Sequence, residues 1–173
     1  HARNLLHKAL DSLREKGEFI SILLPFNYNF YRRYGWEICY DYIEYNIELD
    51  NILLDMDRQL VGHIRKVRLE DDLQLLDLCY TQFMSNYNGY IVRSKADWKR
   101  VFDDLRIYGG DGYILQYGDD VGYILFTYGD DKINIRELQY THTSIKYALL
   151  CFVSMYRKES DIKWMAPLDD ITY

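Results

Sequence analysis

The chain has 173 residues, 49% of them hydrophobic and 28% charged, and a formal net charge of −6. This is the composition of an ordinary globular protein of one medium domain or two small ones. The acidic balance argues against nucleic acid as the main partner, since phosphate binding needs a basic footprint. No apolar run approaches the ~18 residues of a membrane-spanning helix, and no signal peptide is visible, so no membrane partner is expected.

The first expected helix covers residues 2–16, where Ala2, Leu5, Leu6, Ala9, Leu10 and Leu13 recur at helical spacing. Gly17 stops it. The sequence opens His1-Ala2-Arg3-Asn4-Leu5, without a methionine or an N-cap, and reads as a piece of a longer protein. Phe19 to Leu24 is a continuous apolar run, the pattern of a strand buried on both faces. Pro25 ends that run, and Asn27 or Asn29 can cap a short helix carrying Phe30, Tyr31 and Tyr34 before Gly35. Trp36 to Ile47, rich in Tyr and Ile, reads as a strand, residues 50–59 as a polar crossing, and Val61 to Leu69 as a further strand.

A second unit begins near Glu70. Leu73, Leu76, Cys79, Tyr80 and Phe83 mark a helix, and Ser94 caps another that holds Trp98, Val101, Phe102 and Leu105. Three strands follow, Tyr113 to Tyr117, Val121 to Tyr128 and Lys132 to Leu138, separated by Gly-Asp-Asp turns as a meander. An amphipathic helix over Thr143 to Lys158 and a strand over Ile162 to Met165 complete an α+β order. The pairs Asp119-Asp120, Asp130-Asp131 and Asp169-Asp170 read as solvated turns, since calcium needs more oxygen ligands at closer spacing. The four histidines are scattered, so no metal is expected. Cys39, Cys79 and Cys151 are odd in number and lack CxxC spacing. They read as small buried hydrophobes in a reducing cytoplasm. Most of the 18 tyrosines fit strands and core edges.

Five segments in order carry a resemblance to a known family. They are His1 to Leu6, Pro25 to Trp36 (an "fYrrfGw"-like block), Asn88 to Ser94 followed by Trp98, Arg136-Glu137-Leu138, and Trp164 to Asp170. Together they resemble the Eis-like (enhanced intracellular survival) branch of the GNAT N-acetyltransferases over nearly the whole length. The resemblance implies an α+β (α/β) tandem GNAT fold with its first unit incomplete. Residues 1–68 would be the C-terminal half of a catalytic domain, and residues 69–173 a second, degenerate GNAT-like domain.

The resemblance also implies acetyl transfer from acetyl-CoA, as cosubstrate, to a primary amine of a cationic small molecule or a peptide lysine, in a homo-oligomer. Acidic tone and tyrosine-rich walls suit such an acceptor. Tyr31 falls at the family's general acid. A phenol near pKa 10 can protonate a thiolate near 8.5 while staying protonated at neutral pH. Ala2, Arg3 and Asn4 match the helix end of the cofactor's pyrophosphate cradle. Asn27 and Phe26 fall along the pantetheine or substrate channel, although turn capping is an equal reading for Asn27. Tyr173 has no catalytic role on this view, and the chain by itself is expected to be inactive. The second unit has no glycine in Leu138-Gln139-Tyr140-Thr141-His142-Thr143-Ser144, so it is expected to bind no coenzyme A. The rival reading is a non-catalytic GNAT-like interaction or scaffold protein that has lost the cofactor.

Overall fold

The computed structural model describes residues 2–48, 62–129, 131–156 and 161–172. They divide into two compact units, residues 1–41 and 42–173. The expected polar crossing at 50–59, the start of the strand at Val61, Lys158 and Tyr173 lie outside the described residues.

The first unit holds α1 (Ala2–Glu15) and α2 (Tyr28–Arg32). Gly17, at φ 78°, ends α1 in a left-handed turn, with the Glu18 N–H reaching the Leu13 carbonyl at 2.9 Å. Phe19 to Leu24 is neither strand nor helix, and it is not buried: Phe19 is 97% exposed and Leu24 82%. An apolar run makes a strand only where another strand accepts its hydrogen bonds, and none of the described residues does so. Nor does α1 bury any residue, although its apolar stripe is where the spacing put it.

The second unit contains the core. Its elements are β1 (Ile43–Ile47), β2 (His63–Lys66), α3 (Leu69–Met84), α4 (Lys95–Ile107), β3 (Asp111–Tyr117), β4 (Asp120–Tyr128), β5 (Lys132–Tyr140), α5 (Thr143–Tyr156) and β6 (Asp161–Ala166). The sheet order is β1-β6-β5-β4-β3-β2, with β5 and β6 parallel and the other neighbours antiparallel. Thus β1 and β2, which the sequence reading placed before residue 68, are hydrogen-bonded into the sheet of the second unit. Of the strand expected over Trp36 to Ile47, only β1 forms, because only those residues meet β6.

Alternation along β4 builds two cores. Ile124 and Phe126 face α5 and pack with Ile133, Leu138, Ile145, Leu149 and Val153. Val121, Tyr123 and Leu125 face the other way, onto Leu76, Cys79, Tyr80 and Trp98 of α3 and α4. The β4–β5 register breaks once: Leu125 pairs Glu137 but Phe126 pairs Ile135, which leaves Arg136 as an extra residue. After this bulge the faces of β5 exchange. Leu138 takes the side of Ile133 and Ile135, and Glu137 turns to the α3–α4 side.

Candidate active site

Asn27 opens α2 from an extended backbone (φ −153°, ψ 115°), and its Oδ1 accepts from the Phe30 N–H at 3.1 Å. One of the donors that a helix start leaves free is thereby satisfied. Gly35, at φ 94°, ends the turn, donating to the Arg32 carbonyl at 3.1 Å. Between these caps the Tyr31 ring meets Phe26 at 5.5 Å, Phe30 at 5.2 Å and Trp36 at 6.0 Å between centroids. Tyr31 is half-buried, and its hydroxyl has no hydrogen-bond partner among the described residues. Phe26 is exposed, and Arg32 pairs with Glu37 at 3.0 Å on the surface.

Ala2, Arg3 and Asn4 form the exposed first turn of α1. The N–H groups of such a turn lack intrahelical acceptors, and Arg3 adds charge beside them, so the turn suits a phosphate anion. α1 touches the turn that follows α2, where the His7 and Tyr34 rings meet edge to face, 6.0 Å between centroids. The structure thus groups Phe26, Asn27 and Tyr31. The hydrogen bonds and ring contacts of the described residues do not join Ala2, Arg3 or Asn4 to them. No strand is formed by residues 2–41, so they do not themselves supply the parted strands beside which the sequence reading set Tyr31.

In the second unit the turn from β5 to α5 is filled by side chains. Thr141 Oγ1 donates to Asp120 Oδ1 at 3.0 Å and accepts from the Val121 N–H at 3.0 Å. His142 Nδ1 receives the Ser144 N–H at 3.3 Å and lies 2.9 Å from Ser144 Oγ. A helix start closed by its own residues offers fewer free donors to a ligand. Among the described residues no group of three or more His, Cys, Asp or Glu could hold a metal ion, and no helix is long and apolar enough to cross a membrane.

With the sheet, the flanking helices and the capped turn in place, the chain can be compared with known proteins. Residues 1–39 match the family described as an acetyltransferase (GNAT) domain. A probable N-acyltransferase from Enterococcus faecalis, a conserved protein of unknown function, superimposes on 93% of this chain and 41% of its own, at 21% identity and a TM-score of 0.73. A GCN5-related N-acetyltransferase from Anabaena variabilis covers 96% of this chain and 43% of its own, at 19% identity and a TM-score of 0.69. Eis1 from Mycobacterium abscessus covers 97% of this chain and 44% of its own, at 17% identity and a TM-score of 0.60. The fold is the GNAT fold. The chain spans less than half the length of these three proteins, 41% to 44%. No curated protein matches its sequence.

Sequence reasoning missed two buried clusters in the second unit. Arg93 forks onto Glu137, with Nη1 to Oε2 at 2.9 Å and Nη2 to Oε1 at 2.5 Å, and Tyr123 donates to the same carboxylate at 2.9 Å. The guanidinium lies 4.1 Å from the Tyr80 ring centroid and 4.6 Å from that of Trp98. Burial works against the Arg93 charge, but the Glu137 carboxylate outweighs it and moves the guanidinium further up. Burial and then Glu137 push the Tyr123 phenol well up. The second cluster corrects the reading of Asp169-Asp170 as a solvated turn at Asp170 alone, since Asp169 is exposed in the turn. Asp170 is buried against Lys146, and Asp169 accepts from Tyr87 at 3.0 Å. The signal for it was Lys146 itself, which sits in the apolar stripe of α5 with Leu149, Leu150 and Val153.

Proposed function

We propose that these residues belong to an acetyl-CoA-dependent N-acetyltransferase of the Eis-like kind, in which Tyr31 is the general acid. The observation that carries the reading is the Tyr31 phenol. It is half-buried on a capped turn with no hydrogen-bond partner among the described residues, inside the segment that matches the acetyltransferase family. In the reaction the acceptor nitrogen attacks the thioester carbonyl, the C–S bond breaks, and the departing thiolate takes the Tyr31 proton. The ammonium formed on the acceptor gives its proton to a base. Ala2, Arg3 and Asn4 hold the cofactor pyrophosphate through the first turn of α1, and Phe26 and Asn27 border the channel that leads to Tyr31. The acceptor is a primary amine on a cationic small molecule or a peptide lysine, drawn by the acidic, tyrosine-rich chain. The protein works in the cytoplasm as a homo-oligomer.

Residues 69–173 act as a degenerate second GNAT-like domain that binds no cofactor. The side-chain-filled turn between β5 and α5 supports this part of the reading. It is also what a wholly non-catalytic scaffold would show, so turnover decides between the two. The test is acetyl-CoA turnover by the full-length protein against a panel of polyamines and lysine peptides, wild type beside Tyr31→Phe. A fall in kcat of about a hundredfold or more in the variant is the expected outcome for a lost proton donor. Equal turnover removes Tyr31 from the mechanism, and no turnover by the wild type with any amine favours the scaffold.

A further inference from the structure

β5 and β6 are paired only from Lys132 opposite Asp161 to Ile135 opposite Trp164. Beyond that, β5 runs on to Tyr140 and β6 to Ala166 without pairing each other, and the parting starts at the Arg136 bulge. The segment after β6 returns across this seam. Asp170 Oδ2 meets Lys146 Nζ at 3.0 Å and the Tyr140 hydroxyl at 3.5 Å. Its Oδ1 accepts from the Thr172 N–H at 2.9 Å and from the Thr172 hydroxyl. The Asp170 carbonyl accepts from Tyr45 of β1 at 3.3 Å. Tyr140 is the end of β5, while Tyr45 lies opposite Trp164 of β6, so one residue is bound from both sides of the seam.

The charges are sealed. The Lys146 side chain is 1% exposed and that of Asp170 2%. The ammonium has three donors. It gives one to Asp170 and one to Thr172 Oγ1 at 3.0 Å, and it lies 5.4 Å from the Tyr140 ring centroid and 5.1 Å from that of Tyr147. Burial alone would push the Asp170 carboxyl up, but Thr172 and Lys146 overcome it and hold it low. A lysine in an apolar helix stripe is tolerated only with such a partner, since an unpaired buried charge is strongly destabilising.

We infer that Lys146, Tyr140 and Tyr45 line an anion pocket in the seam between β5 and β6, and that residues 167–172 are a strap whose Asp170 carboxylate is the pocket's built-in ligand. The pocket accepts a small carboxylate, here one carried by the chain itself. This holds whether or not the protein transfers acetyl groups.

The test uses the 173-residue chain with Asp170→Ala, which empties the carboxylate position. Amide exchange at Thr172 and in the first turn of α5 should quicken by about tenfold or more. Added acetate should restore protection and the melting temperature saturably, while chloride at matched ionic strength should not. Asp170→Asn, which fills the position with a neutral amide, should gain nothing from acetate. If the alanine variant folds only when acetate is present, that also meets the expectation. Unchanged exchange in the variant, acetate acting no better than chloride, or refolding that fails equally in both salts overturns the inference.

Discussion

Arg93 is fixed by geometry more than by charge. Its fork matches the Glu137 carboxylate, and its guanidinium packs on the Tyr80 and Trp98 rings, which touch each other. Only 13% of its side chain and 17% of the Glu137 side chain are exposed, so removing one partner strands the other in a poorly solvated place. Arg93→Ala should therefore cost about 3–5 kcal/mol in denaturant unfolding. Arg93→Lys should recover little of it, because an ammonium cannot fork or stack. A loss under about 1 kcal/mol would mean that the pair behaves as a surface one. The sequence showed Arg93 and Glu137 inside separate segments of the family resemblance, and gave no sign that they meet. The one-residue bulge at Arg136 decides which face Glu137 takes, and a bulge leaves no mark in a two-residue alternation. Tyr31 was legible as a tyrosine on a capped turn. That its hydroxyl lacks a hydrogen-bond partner among the described residues was not.

At the scale of elements, agreement follows burial. α3, α4, β3, β4, β5, α5 and β6 stand within a few residues of where periodicity and turn chemistry put them, because each has a face in one of the two cores. Ser94 caps α4 as expected, and the Asp97 side chain returns a bond to the Ser94 N–H, which the sequence reading had not named. Gly118, at φ 60°, occupies the first position of the two-residue turn joining β3 and β4, where a left-handed backbone is wanted. Phe19 to Leu24 was misread for the complementary reason: hydrophobicity reports that a run wants covering, and it cannot report what covers it. A more delicate fit lies between β4 and α5. A Cβ on Gly122 would collide with Ile145 Cγ2 and come within 2.9 Å of the Gln139 carbonyl and 3.2 Å of Leu149 Cδ1. Gly122→Ala should thus push α5 off the sheet and cost about 1–3 kcal/mol. Its near-ultraviolet dichroism should change, because α5 carries Phe152 against Tyr113. A variant as stable as wild type would mean that α5 shifts freely.

For the whole molecule, the two units differ in kind: residues 42–173 have two cores, while residues 2–41 are held by caps, a small ring cluster and surface pairs. Stability against pH should accordingly report the second unit. Asp72 is held low first by the Arg65 guanidinium, against burial, and Asp170 is held low by Thr172 and Lys146 against burial. For a depressed carboxyl the native state binds fewer protons than the unfolded chain. The stabilisation is complete above about pH 4 and drains away as pH falls through the lowered native values. The alkaline side has the opposite sign. Burial lifts Tyr123 well up, Tyr87 to about 12 with help from Asp169, and Cys79 to about 12. Above the ordinary values, near 8.5 for a thiol and 10 for a phenol, the unfolded chain sheds protons that the native chain keeps. Stability then falls by about 1.4 kcal/mol per pH unit for each buried group such as Tyr123 and Cys79. The chain should consequently show a plateau between about pH 5 and 8 and a steep alkaline limb. Tyr123→Phe should flatten that limb while leaving the acid limb alone, in chemical unfolding read by far-ultraviolet dichroism. An alkaline limb of equal slope in wild type and Tyr123→Phe would show that this phenol titrates as freely in the folded chain as in the unfolded one, and that the Glu137 site is open to water.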